Sequence, residues 1–212
     1  MASLNIYAHA CAETDSANTS QVTNDSFDVG AFSRQVNESY AVFDLSSLPE
    51  GASVSKLKLR LRQKSGSYYK KSVTLTAAVC SNYISPSRIK WSSKPGISQI
   101  KGNLTISANE NADRTWTLRD ASGLGQYIFD GKLTVKIFAE GASAGDNNAK
   151  GFETPGVSDN SKKPRLTVEY DTPHGIKVFT QGSFTEKPVK VFTGGSWTEA
   201  SVKYFDGNEW KN

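Results

Sequence analysis

Lys56-Leu57-Lys58-Leu59-Arg60-Leu61-Arg62 alternates charge and leucine without a break. Successive side chains of an extended chain leave opposite faces, so the leucines fall on one side and the cations on the other. That pattern is a β-strand with one buried face. The same period of two recurs in Val73, Leu75, Ala77 and Val79, in Leu133, Val135, Ile137 and Ala139, and in Leu166, Val168 and Tyr170. Shorter strand candidates are Ile6 to Cys11, Phe27 to Phe32, Tyr40 to Leu45, Ile89 to Trp91, Leu104 to Ala108, Thr115 to Leu118 and Phe152 to Thr154. Turn residues separate them at Pro49-Glu50-Gly51, Lys94-Pro95-Gly96, Asp130-Gly131 and Gly141 to Gly145. Many short strands with turns between them predict an all-β chain, a jelly-roll-like antiparallel β-sandwich. One segment differs. Asp120 to Phe129 offers an aspartate at a helix start and Leu124, Tyr127 and Ile128 at helical spacing, which predicts a short helix.

A second pattern lies at the C-terminal end. Lys177-Val178-Phe179-Thr180-Gln181-Gly182-Ser183-Phe184-Thr185-Glu186 is followed by Lys190-Val191-Phe192-Thr193-Gly194-Gly195-Ser196-Trp197-Thr198-Glu199. A shorter copy runs from Lys203 to Trp210. Fixed-period repetition is an architectural signal. Each copy reads as a strand, a glycine turn and an aromatic opening the next strand, hence a β-hairpin or meander. Alternation stops at Asp171-Thr172-Pro173-His174-Gly175, so the expected division is a sandwich over 1–171, a linker over 172–176 and the repeats over 177–212. Thirty-odd residues of hairpin bury little by themselves. Phe184, Trp197 and Trp210 therefore need a partner surface. A protein surface and a stacked sugar both fit such aromatics.

Composition narrows the function. The chain has 212 residues, 37% hydrophobic and 22% charged, with a net charge of +4. The basic residues are dispersed, so a solvated strand face is expected rather than a nucleic-acid-binding stripe. No apolar run approaches a membrane span, and no membrane partner is expected. The stretch Met1 to Tyr7 has neither a basic nor an apolar leader region, which predicts a chain made in a cytoplasm without an export signal. Cys11 and Cys80 do not make a disulfide scaffold; two buried thiols are the default and a single bridge stays open.

The run Tyr40-Ala41-Val42-Phe43-Asp44-Leu45-Ser46-Ser47-Leu48-Pro49-Glu50-Gly51-Ala52-Ser53-Val54 resembles the signature of DNRLRE-type domains, β-sandwich modules of bacterial surface and carbohydrate-active proteins. Leu57 to Leu61, Ile89 to Pro95, Trp116 to Phe129, Lys150 to Phe152 and Lys163 to Tyr170 resemble that family's later landmarks, in order. Lys90 stands where the family pattern has threonine. The resemblance implies a stalk, adhesion or carbohydrate-binding role without catalysis. The repeats resemble the short lysine-valine-aromatic-glycine-tryptophan units at the ends of bacteriophage virion proteins, especially tail and fibre proteins. Together these imply a phage structural protein of tail, fibre or head surface, released by lysis. Its implied partners are other virion proteins, further copies of itself (a trimer favoured) and a host cell-surface polysaccharide. The alternative is a non-catalytic carbohydrate-binding module of a bacterial surface protein.

Candidate sites are few. Only His9 and His174 could serve a triad or a zinc site, and neither stands in a catalytic motif. The carboxylates form no distinctive glycosidase pair, and Asp44 reads as a cap for the turn after it. No catalytic residue is expected. Tyr68 and Tyr69, at an expected hairpin tip, are the glycan candidates of the sandwich, beside Phe184, Trp197 and Trp210 of the repeats. Jelly-roll modules often carry a structural Ca²⁺, and hard oxygen ligands suit it. Glu13, Asp15 and Asp171 are its candidate ligands, because terminal strands tend to be neighbours. Trp91, before a proline turn, is expected to pack in the core.

Overall fold

Strand β5 (Ser53–Arg62) follows the alternation residue by residue. Leu57, Leu59 and Leu61 are fully buried. On the other face Lys58 pairs with Glu169 at 3.0 Å and Arg60 with Asp113 at 3.0 Å. The basic row is thus matched by acids of the strands on either side. The computed structural model describes residues 1–17, 20–22, 26–49, 51–65, 71–107, 110–172, 176–180, 183–187, 189–193, 195–200, 204–205 and 210–211. Of these, 20–22, 176–180, 183–187, 193, 204–205 and 210–211 are described as backbone.

The chain is all-β. The strands before the repeats are β1 (Ala2–Asp15), β2 (Ser20–Val22), β3 (Ser26–Ala31), β4 (Val36–Asp44), β5, β6 (Val73–Cys80), β7 (Ile97–Ile106), β8 (Asp113–Leu118), β9 (Lys132–Phe138), β10 (Lys150–Glu153) and β11 (Arg165–Asp171). They form one antiparallel sheet ordered β7-β6-β9-β4-β1-β11-β5-β8, with β2 on β1, and β10 joined through β3 to β4. The long β1 makes this sheet fold onto itself. Its first half, Ala2 to Tyr7, pairs with β11; its second half, Ala8 to Asp15, pairs with β4. The register slips between Ala8 and Ala10, a bulge that lets the strand pass from one layer to the other. One layer is β8-β5-β11 with the start of β1; the other is the end of β1 with β4, β9, β6 and β7.

The inner faces of both layers meet in one core, including Phe27, Phe43, Leu75, Trp116, Val135, Phe152 and Val168. Trp116 of β8 donates its indole N–H to the Leu75 carbonyl of β6 at 3.0 Å, tying the layers through the core. Such a buried indole would otherwise lack a partner. The two ends of the sheet then almost close into a barrel. Arg119 N–H, just after β8, donates to the Lys101 carbonyl of β7 at 3.1 Å. Gly102 allows that approach, since a Cβ there would lie 2.2 Å from the Thr117 carbonyl oxygen.

Several expectations change. Ile89 to Trp91 is not a strand. Residues 81–96 form a strap with two 3-10 turns, Pro86–Arg88 and Trp91–Ser93, and Pro86 cannot donate to a ladder. Ile89 is buried against Ala12, Tyr40 and Cys80 on the outer face of the second layer. Trp91 is half-buried under the Lys94 ammonium, 3.7 Å from its ring, and is not a core residue; the core tryptophan is Trp116. The expected helix is a 3-10 helix, Ala121–Tyr127, whose Leu124 enters the core. Asp120 adopts a left-handed conformation (φ 60°) and its carboxylate caps nothing. Cys11 faces the core between the layers, whereas Cys80 faces outward under the strap. Both are free and lie on opposite faces, which settles the open question of a bridge.

Beyond β11 come three separate two-stranded sheets: β12 (Ile176–Thr180) with β13 (Ser183–Lys187), β14 (Lys190–Thr193) with β15 (Ser196–Glu199), and β16 (Tyr204–Phe205) with β17 (Trp210–Lys211). Each repeat is one hairpin.

Candidate functional site

The hairpins hold the repeated aromatics in a fixed relation. The register pairs Phe179 with Phe184, Phe192 with Trp197, and Phe205 with Trp210. In β14–β15 the connection is Gly194-Gly195, with Gly195 at φ +88°. Two-residue hairpin loops need such positive φ, which glycine supplies without strain. The residues flanking such a loop exchange hydrogen bonds, so the aromatic pair next to them sits at the closer spacing of a non-hydrogen-bonded pair. Phe192 and Trp197 indeed meet, with ring centroids 5.3 Å apart and planes inclined by 57°. Their outer surfaces stay open: Phe192 is 56% and Trp197 68% exposed. Two positions further from the loop, Lys190 stands opposite Glu199, as Lys177 stands opposite Glu186 in the first hairpin. Residues two apart share a strand face, so each of these hairpins repeats an aromatic pair and an opposite-charge pair in the same register.

A second surface lies on the sandwich, at the seam where β7 meets β8. A groove of about 610 Å³ is lined by Gln99, Lys101, Asn103, Thr115, Thr117 and Arg119, with Gly102 at its floor and Asp120 at its end. These are the outward rows of the two strands, and all their side chains are polar. Arg119 has no acidic partner among the described residues, and Lys101 makes only a 3.9 Å contact with Glu140. Amide, hydroxyl and cationic donors without an apolar platform suit a polyhydroxylated or anionic ligand. The signal in the sequence was two polar i, i+2, i+4 rows. It gains meaning only once β7 and β8 are known to be neighbours.

The three proposed calcium ligands are not brought together. β1 and β11 are neighbours, as expected, but antiparallel pairing sets Asp171 beside the start of β1. Its carboxylate lies 3.2 Å from the Met1 amino group, at the far end of β1 from Glu13 and Asp15. Glu13 accepts hydrogen bonds from the Asp28 amide, at 2.6 Å, and from the Asn37 side chain. Burial, with Asp28 and Asp15 nearby, raises its pKa to about 7 against the hydrogen bonds that lower it. Asp15 accepts from the Ala17 amide at 2.9 Å. No group of three His, Cys, Asp or Glu suited to a metal occurs among the described residues. Tyr68 and Tyr69 lie outside the described residues, as does His174. Phe184 and Trp210 are described as backbone only, and Trp197 is fully placed.

Other polar residues have structural partners. Asp44 accepts from the Ser46 amide at 2.9 Å and so ties the following turn; the hydrogen bonds of the Ser46 side chain and amide lower its pKa. A cluster that alternation conceals sits beneath the strap. Lys136 of β9 meets Glu38 of β4 at 2.8 Å, and Lys94 of the strap reaches the same carboxylate at 3.0 Å. Lys136 is nearly buried, and desolvation lowers its pKa against the attraction of Glu38. No protein-family model matches the chain, and no curated protein matches it.

Proposed function

We propose that this chain is a structural protein of a bacteriophage virion, a component of the tail, a fibre or the head surface, that works by docking rather than by chemistry. The sandwich is the displayed body and the hairpins are the docking element. The observation that carries the reading is the 13-residue array of hairpins, each built on one cross-strand aromatic pair. An isolated two-stranded hairpin is marginal in water, and the exposed Phe192–Trp197 face gains stability only when something covers it. A chain with three such elements in tandem is suited to assembly. The test is mass spectrometry of purified particles produced from a genome that carries this gene. Recovery of the chain in a fixed copy number per particle supports the proposal; its absence from washed, intact particles overturns it.

The groove at the β7–β8 seam favours a second reading, in which the sandwich binds a polysaccharide, on a virion or on a bacterial surface. Its polar lining and the Arg119 guanidinium, which has no acidic partner among the described residues, are what such a ligand would use. A glycan array probed with the full chain tests it. Retention that Arg119→Ala abolishes supports a groove site; no retained glycan, or retention unchanged in that variant, removes it.

A further inference from the structure

Both complete hairpins repeat the same arrangement of charge around the aromatic pair. In β14–β15 one edge strand supplies Lys190 and Phe192, and the other supplies Glu199 and Trp197. All four residues are exposed. The face therefore has an apolar centre toward the loop, a cation on its left and an anion on its right. A two-fold rotation about an axis parallel to the strands lays a second such face on the first. That rotation exchanges left and right, so Lys190 of each copy comes to lie over Glu199 of the other, and the ring pair lies over the ring pair. Isologous contacts of this kind require a self-complementary surface, and this face is one. The first hairpin carries the same set, Lys177 opposite Glu186 and Phe179 opposite Phe184 in register.

Size points the same way. An aromatic side chain contributes roughly 150–250 Å². With Phe192 56% and Trp197 68% exposed, one hairpin offers on the order of 250 Å² of open aromatic surface. Aromatic pairs recur at the same register in the other two hairpins, and a standard stable interface takes ~800 Å² per partner.

We infer that the aromatic faces of the hairpin repeats pair with those of a second copy of this chain, making the C-terminal array a two-fold homodimerisation element. The inference rests on reading the repeats as a docking element. It adds which partner covers them and how the partner is oriented.

The test uses the full chain in solution. Analytical ultracentrifugation should show a dimer at micromolar concentration. Phe192→Ser with Trp197→Ser should weaken dimerisation at least ~30-fold, the loss that central aromatics of an interface give. Circular dichroism of the same variant should keep the unfolding transition of the sandwich, which the hairpins do not build. A charge-swap pair asks about the orientation. Lys177→Glu with Lys190→Glu makes the faces wholly acidic, and Glu186→Lys with Glu199→Lys makes them wholly basic. Each variant alone should sediment as a monomer, and the equimolar mixture should sediment as a dimer. A wild-type chain that stays monomeric at about 100 µM, a trimer, or a dimer indifferent to all these substitutions overturns the inference. So does a mixture that fails to pair. Failure here leaves incorporation into particles to be judged separately, because another virion protein could cover the same faces.

Discussion

Gly102→Ala should open the seam of the sandwich. The added Cβ would stand 2.2 Å from the Thr117 carbonyl oxygen and 3.0 Å from its carbon. Ordinary contact for such a pair begins near 3.4 Å, so a gap of about 1 Å must be made. Both sides are backbone held in ladders, Gly102 opposite Ala77 on β6 and Thr117 opposite Lys58 on β5. Neither can rotate away as a side chain would. Relief requires β7 and β8 to separate, which sacrifices the Arg119–Lys101 hydrogen bond, worth about 0.5–1.5 kcal/mol. Overpacking strain adds about 1–3 kcal/mol. Replacing glycine in a strand returns about 0.5–1 kcal/mol of backbone entropy. The net cost is about 0.5–4 kcal/mol, a fall in Tm of roughly 1–16 °C for a domain of this size. Thermal unfolding followed by circular dichroism measures it, and hydrogen exchange at the Arg119 amide locates it. Gly125→Ala is the control, since a Cβ there meets nothing within 4 Å. If Gly102→Ala is as stable as wild type, or more so, with Arg119 still protected, the seam is not closed as described.

Three further outcomes follow from the buried polar groups. Glu38→Gln strips Lys136 of its anionic partner under the strap and should cost about 3 kcal/mol in denaturant unfolding, more than Lys136→Met, which removes the buried charge itself. Glu13 has a folded pKa raised from 4.5 to about 7, so its stabilising effect is complete below about pH 4.5 and lost as pH rises through 7. Relative to Glu13→Gln, wild type should lose about 2–3 kcal/mol between those limits; a parallel pH profile for the two proteins would contradict the burial of this carboxylate. Burial pushes the Cys80 thiol up to about 12 and Cys11 higher still. Neither should react with a thiol reagent in the native state, both should react on unfolding, and mass spectrometry should find no disulfide.

The architecture was legible wherever a strand has one wet face. Leu57, Leu59 and Leu61 announce β5, and Leu166 and Val168 announce β11, because burial on one side writes a period of two into the chain. The hairpins were legible too, since glycine loops and a strict repeat are local signals. What stayed hidden depends on contacts distant in sequence. Thr134 and Lys136 read as an outward polar row of β9, yet both are buried, and Lys136 shares Glu38 with Lys94 of the strap. Ile89, which seats the strap, sits in no periodic run. Glu13, Asp15 and Asp171 were grouped because terminal strands are neighbours. The strands are neighbours, but antiparallel pairing puts the carboxylates at opposite ends of β1. Gly102 looks like any strand glycine until Thr117 is found against it. The seam groove was hidden for another reason: β7 and β8 follow one another in the chain, yet they belong to different layers and meet at a single backbone hydrogen bond rather than a ladder, which no local pattern announces.

The most direct test compares particles assembled with the full chain and with a chain ending at Asp171. Antibody labelling of the sandwich, counted on purified virions by electron microscopy, gives the occupancy of each. Docking through the hairpins predicts full labelling for the complete chain and almost none for the truncated one, with circular dichroism checking that the truncated sandwich is folded. Equal labelling of both would contradict the role assigned to the repeats, and no labelling of either would contradict the place of this protein in a virion.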